Sequence, residues 1–243
     1  MPNPTAAILV IGDEILSGRT RDANTHHLAG RLTEAGIDLK EVRVLADDTD
    51  AIVDAVCHLS ARFDHVFTCG GIGPTHDDIT ADAMAQAFGA SIDVRDDART
   101  ILENHYKRTG IELNTARLRM ARIPDGATLI ENPVSAAPGF SLGNVHVMAG
   151  VPAIFQAMVS SIMPSLIGGR PLVTRSLRIT RGEGDIAGPL GKIAADHPAL
   201  SFGSYPFQSN GVFGSNVVVR GDDLSAVLGA VKTLKTAFEG YTE

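Results

Sequence analysis

Thr68-Cys69-Gly70-Gly71-Ile72-Gly73-Pro74-Thr75-His76-Asp77-Asp78-Ile79-Thr80 joins a short apolar run, His65–Cys69, to a helical pattern that continues to Phe88. Glycine admits positive φ and lets backbone N–H groups come close to a ligand. Successive N–H groups make a concavity for anions, and the dipole of the following helix adds to it. Asp77 and Asp78 would repel a bare phosphate, so their presence points to a hard divalent cation between carboxylate and phosphate. Thr80 stands in an N-cap position. The plainer reading is a tight turn before a solvated acidic helix start. The glycines, Pro74 and paired carboxylates at one strand end favour phosphate binding over it.

The flanking sequence sets that loop in an alternation of strands and helices. Ala6–Ile11 is continuously apolar, as a strand buried on both faces should be. A helix is expected from Asp22 to Ala35, with Leu28 and Leu32 on one side and Gly36 as its stop. Leu39–Leu45 reads as a strand, the segment from Thr49 as a helix bearing Ile52, Val53, Val56 and Leu59, and His65–Cys69 as the third strand. Helices are expected at Thr80–Phe88, Asp96–Thr109 and Asn114–Ala121, strands at Ala127–Ile130 and Val145–Ala149, and a helix at Pro152–Leu166 opening on proline. Strands separated by helices of this length imply an α/β fold, with a mostly parallel sheet covered on both faces.

Ile167-Gly168-Gly169-Arg170-Pro171 punctuates the chain, dividing a larger domain, 1–168, from a smaller one, 171–243. The second carries strands at Val173–Thr180, Leu200–Tyr205 and Asn216–Arg220 and helices at Pro189–Asp196 and Leu224–Phe238. That is a small α+β unit.

In open α/β sheets ligands sit beyond the C-terminal strand ends, and two other strand ends support the first. Strand one runs into Gly12-Asp13-Glu14-Ile15-Leu16-Ser17-Gly18, a glycine-bracketed turn with two acids and a hydroxyl. Strand two runs into Ala46-Asp47-Asp48-Thr49. Helix capping explains one of Asp47 and Asp48 but not both. The candidate ligand-binding positions are therefore Gly12, Glu14, Ser17, Gly70, Gly71, Gly73 and Thr75. Asp47, Asp48, Asp77 and Asp78 are the candidate metal ligands, with Asp77 and Asp78 closest to the chemistry.

Composition narrows the partners. The chain has 243 residues, 44% hydrophobic, enough for a real core and too apolar for a disordered chain. No run approaches the length that spans a bilayer, and the N-terminus lacks the pattern of a secretory signal. Two cysteines cannot frame a disulfide scaffold, which suits a reduced, cytoplasmic protein. The net charge of −7 argues against a nucleic-acid partner. That acidic excess lies wholly in the first 170 residues, because residues 171–243 carry seven basic and seven acidic side chains. The neutral C-terminal unit is accordingly expected to pack or dimerise rather than bind RNA, despite a literal GxxG string at Gly188-Pro189-Leu190-Gly191. A homo-oligomer is expected, a dimer ahead of a trimer.

Gly12-Asp13-Glu14-Ile15-Leu16-Ser17-Gly18 with Asp22 and Asn24, together with Gly70 to Thr80, resembles the N-terminal domain of the competence/damage-inducible protein A family. That domain belongs to the molybdopterin-binding superfamily of molybdenum-cofactor biosynthesis, and it is also fused to some eukaryotic FAD synthases. The resemblance continues through Asn132–Phe140 and Gly150-Val151-Pro152, and the C-terminal unit looks like the family's KH-like appendage. It implies a three-layer α/β/α fold and an anion-binding edge. It further implies a pterin or nucleotide phosphate as ligand, and hydrolysis of a pyrophosphate bond of the ADP-ribose or FAD type with Mg, Mn or Co. Binding of molybdopterin or a precursor without turnover is the alternative, and a degenerate structural role is a third. Ser135, within Asn132-Pro133-Val134-Ser135, is a candidate ligand hydroxyl chiefly through this resemblance, since a turn explains the local composition as well.

The chain departs from the family at three places. Val134 stands where the family usually has Gly, Ala149 where it often has Pro, and Ile154-Phe155 where an acidic residue is common. The amidohydrolase domain of longer members has no counterpart before Glu243, so deamidation of nicotinamide mononucleotide is not expected. His76 beside Asp77 is readable as a base or an ordinary loop histidine, and His26-His27 as surface or interface. Cys69 has no partner pattern for a nucleophile. No Walker-type GxxxxGK[ST] motif occurs in the sequence.

Overall fold

Apolar side chains alternate along Ala6 to Ile11 between two separate cores, and that alternation builds the larger unit. In a computed structural model describing residues 2–209 and 211–242, the chain divides into two compact units, Met1–Gly169 and Arg170–Glu243. Met1, Asn210 and Glu243 lie outside the described residues.

The first unit runs β1 (Thr5–Ile11), α1 (Asp13–Leu16), α2 (Asn24–Glu34), β2 (Asp38–Leu45), α3 (Thr49–Ser60), β3 (His65–Cys69) and α4 (Thr80–Phe88). It continues with β4 (Ile92–Val94), α5 (Asp96–Thr109), α6 (Thr115–Leu118), β5 (Arg122–Pro124), β6 (Thr128–Ile130), β7 (Gly139–Leu142), β8 (Val145–Met148) and α7 (Pro152–Ile162). Among the described residues, six strands form one sheet in the order β2-β1-β3-β8-β7-β6. The β2-β1-β3-β8 pairings are parallel, whereas β8-β7 and β7-β6 are antiparallel.

Ala7, Leu9 and Ile11 pack with residues of α3, α4 and α5 on one face; Ala6, Ile8 and Val10 pack with those of α2 and α7 on the other. A strand buried on both sides needs apolar residues at every position, which is why β1 reads as an unbroken run. The three-layer α/β/α expectation holds.

The sequence missed β7 and the β4-β5 pair. Gly139–Leu142 is short and begins in a turn-like Pro-Gly context, so no period-two pattern emerges. Ile92–Val94 and Arg122–Pro124 are three residues each and are strands only because they pair across 27 residues of intervening helix and turn.

The second unit contains β9 (Val173–Ile179), α8 (Glu183–Asp196), β10 (Ser201–Ser209), β11 (Val212–Gly221) and α9 (Leu224–Ala237), with strand order β10-β11-β9. Leu177, Ile179, Val217 and Val219 bury against Ile186, Ile193, Val227, Ala230 and Leu234. The helix expected to open at Pro189 instead begins six residues earlier, with Pro189 inside it. Ile186 and Ile193 lie seven apart on one face and both reach the core, and that burial outweighs the local disruption by proline. The Gly188–Gly191 string is therefore helical and not a loop clamp.

Candidate functional site

The glycine loop owes its shape to Thr80. Gly70 and Gly71 take φ of 109° and 69°, a region that L side chains rarely adopt. A Cβ on Gly70 would overlap the carbonyl oxygen of Ile11, and one on Gly71 the hydroxyl of Thr80. The Thr80 hydroxyl donates to Gly70 O at 3.0 Å, and its N–H donates to Gly71 O at 2.9 Å. Thr80 is fully buried and is the first residue of α4 rather than its cap, which the structure assigns to Ile79. Gly70 N–H donates to Met148 O at 3.0 Å, which fixes the loop to the end of β8.

Farther along, Asp78 folds the loop onto itself. One of its carboxylate oxygens accepts from the Thr75 N–H at 2.7 Å and from the Thr75 hydroxyl at 2.6 Å. The Arg119 guanidinium donates to Asp78 O at 3.4 Å and, with Gly71 and Gly73, lines a small neighbouring cavity. His76 is almost wholly exposed, with Nδ1 3.9 Å from the Asp77 carboxylate.

The other strand ends close in from either side. Gly12 N–H donates to Leu45 O at 3.1 Å, and Asp13 N–H donates to the Asp47 carboxylate at 3.1 Å. Asp47 is half-buried, and its carboxyl is raised above the usual carboxylate range, first by burial and then by the charges of Asp13, Glu14 and Asp77. Asp48 faces away as the cap of α3, accepting from Ala51 N–H at 2.8 Å. Asn24, buried at the start of α2, donates to Gly150 O at 2.7 Å and Cys69 Sγ at 2.9 Å, and Asp22 accepts the Asn24 and Thr25 N–H groups. Burial pushes the Cys69 thiol up to about 12, so it stays protonated and is no nucleophile.

These ends enclose a cleft of about 490 Å³, the size of a small-molecule site. Gly12, Glu14, Asp47, Gly70, Gly71, Gly73, Asp77, Asp78 and Ser135 all line it, whereas Ser17, Asp48 and Thr75 do not. Ser17 is exposed beyond α1, and the Thr75 hydroxyl is turned to Asp78. Ser135 is held by Asn132, whose amide donates to its hydroxyl at 2.6 Å and to Ala137 O at 2.8 Å. Thr20, Met120 and Asn132 also reach the wall. Thr20 and Arg119 carried no signal, because both lie outside the glycine-and-carboxylate stretches at the strand ends. Among the described residues, no three His, Cys, Asp or Glu side chains are grouped closely enough to hold a metal alone.

Residues 7–168 match the family described as "Probable molybdopterin binding domain". The chain belongs to that family. A solved structure of the protein CinA from Thermoplasma acidophilum shares its fold, with a TM-score of 0.61 and 33% identity over 67% of this chain and 97% of that one. A CinA-like protein of Citrifermentans bemidjiense is 40% identical over 167 residues, 67% of this chain and 40% of its own length. A "Probable FAD synthase" of Caenorhabditis elegans is 30% identical over 98% of this chain and 50% of its own length. This molybdopterin-binding domain chain thus spans about two fifths to one half of those two curated relatives. Residues 171–242 match the family described as "FAD synthase, middle domain". Among the described residues, no helix is long and apolar enough to cross a membrane.

Proposed function

We propose that the first unit holds the phosphates of a nucleotide or pterin on the Gly70–Gly73 loop and hydrolyses a pyrophosphate bond with a divalent metal. One observation carries this reading: Glu14, Asp47 and Asp77 share a single cleft with the glycine loop. Acids crowded beside an anion-binding loop are consistent with a cation between them. The donor set fits a metal shared with the ligand rather than a preformed cage, since Mg²⁺ commonly uses one or two carboxylates plus substrate phosphates. One or two of Glu14, Asp47 and Asp77 would hold it together with the ligand's phosphates, and when bound it would polarise a phosphoryl oxygen and acidify a water.

The chain's own groups do the rest. The backbone around Gly70 and Gly71 orients the phosphate, the Thr80 bonds keep that backbone fixed, and the Asp78–Thr75 bonds hold the far end of the loop. Ile154, Val151 and Met120 supply an apolar wall for a ring, and Ser135 a hydroxyl. The FAD synthase likeness of the second unit puts flavin nucleotides beside ADP-ribose at the head of the substrate panel.

The test incubates the purified chain with ADP-ribose, FAD and related dinucleotides plus Mg²⁺, Mn²⁺ or Co²⁺ and measures released monophosphate. Asp77→Ala should lose turnover while retaining nucleotide binding; unchanged turnover in that variant overturns the reading. A second reading, binding of molybdopterin or a precursor without turnover, is favoured by the engagement of Asp78 within its own loop. Tight binding with no monophosphate from any substrate would support it.

A further inference from the structure

The opposite, N-terminal edge of the sheet carries a second cavity, about 540 Å³, whose wall includes Ser141, His146 and His65. The three are linked in a line. Ser141 Oγ lies 2.9 Å from His146 Nδ1, His146 Nε2 lies 3.4 Å from His65 Nδ1, and His65 Nε2 lies 3.3 Å from Ile167 O.

The carbonyl at the end of this line can only accept, so it fixes every proton along it. His65 carries its proton on Nε2, leaving Nδ1 to accept from His146 Nε2–H. His146 Nδ1 is then a bare lone pair, and the Ser141 hydroxyl donates to it. A serine hydrogen-bonded to a neutral imidazole, itself oriented by a third group, is the arrangement of an activated nucleophile. Sheet geometry produces it: Ser141 and His146 are directly opposite on β7 and β8, and His146 registers with Phe67, two residues from His65 on β3.

We propose that Ser141, with His146 as base and His65 as positioning residue, forms a second, acyl-transfer site that hydrolyses small uncharged carboxylic esters. Ser141 Oγ would add to the ester carbonyl carbon as its proton passes to His146 Nδ1. The bond to the alcohol oxygen then breaks, and the alcohol leaves with that proton. Water, deprotonated by the same nitrogen, attacks the acyl-serine; the acid leaves and Ser141 recovers its proton. Ile130, Ile162 and Leu166 give the wall an aliphatic character, and Asp64 and Glu131 disfavour anions. Burial pushes the His146 pKa down to about 4, so its lone pair is free at neutral pH but weakly basic, and ester turnover is expected to be slow. The site makes no use of the glycine loop and stands or falls separately from the pyrophosphate reading.

The test treats the full chain with a fluorophosphonate reagent, maps the adduct by peptide mass spectrometry, and follows hydrolysis of p-nitrophenyl butyrate. Expected are an adduct on Ser141 and ester turnover lost in Ser141→Ala. His146→Gln should slow labelling at least tenfold, and His65→Gln several-fold, with circular dichroism reporting whether each is folded. If His146→Gln unfolds, the wild-type adduct and the Ser141→Ala control decide. No adduct on Ser141 in the folded wild-type chain, labelling unchanged in a folded His146→Gln, or turnover surviving Ser141→Ala would overturn the proposal.

Discussion

Thr80 reaches back across ten residues to donate its hydroxyl to the carbonyl oxygen of Gly70 at 3.0 Å, and both residues are buried. The bond locks the first residue of α4 to the residue after β3, so the glycine-loop backbone is held by a side chain that does not line the cleft.

Thr80→Val keeps the shape and deletes that donor, leaving a buried carbonyl without its partner. The expected loss is about 1–3 kcal/mol by urea denaturation, with weaker ligand binding. Thr80→Ser retains the hydroxyl and should retain affinity. Equal stability of Thr80→Val and wild type would show that the bond holds nothing.

Gly71 and Gly110 have nearly the same backbone, φ 69° and 71°, but different surroundings. A Cβ on Gly110 meets open space, whereas one on Gly71 collides with Thr80. Gly110→Ala should cost about 1 kcal/mol, the conformational penalty alone. Gly71→Ala should cost at least ~1 kcal/mol more, and a Thr80→Ala background should remove the excess. Matching losses at the two sites would refute the close-approach argument.

Asp47 is half-buried, which raises its carboxyl above the usual range; the Asp13 N–H bond opposes that shift, and the charges of Asp13, Glu14 and Asp77 add to it. Asp47→Asn keeps an acceptor for Asp13 N–H and removes the repulsion. At pH 7 without divalent ions, the variant should melt higher than wild type. Added Mg²⁺ or Mn²⁺ should stabilise the wild type and leave the variant nearly unmoved. Equal metal-dependent shifts in melting temperature would exclude Asp47 from the cation site.

His146 titrates near pH 4 in the folded chain, against an ordinary value of 6.5. Between those values the unfolded chain takes up a proton that the folded chain refuses, so stability falls as pH falls through this window. At 1.36 kcal/mol per pH unit the full effect is about 3 kcal/mol. Urea denaturation at pH 7.5 and pH 5 should show the loss in the wild type and a flatter profile in His146→Gln; equal slopes would refute it.

The order of elements in the first unit was legible because its main strands are buried on both faces. That burial demands continuous apolar runs, and His65–Cys69 has the same limits in sequence and structure. The convergence of Gly12, Asp47 and Gly70 also followed, since parallel strands place all their C-terminal ends together. Sequence alone could not say which polar groups of those loops are available. Asp47 and Asp48 are chemically identical neighbours, yet one lines the cleft and the other caps α3. Thr75 and Asp78 bind each other, and Arg119 arrives from a turn some forty residues downstream.

Local patterns therefore determined the layers, the strand ends and the glycine loop, because periodicity and glycine conformation act over a few residues. Only the tertiary structure decided which carboxylates face the cleft, where α8 begins and that Ser141, His146 and His65 form one line. Those outcomes depend on contacts between segments distant in the chain, where burial and hydrogen-bond satisfaction outweigh local preference.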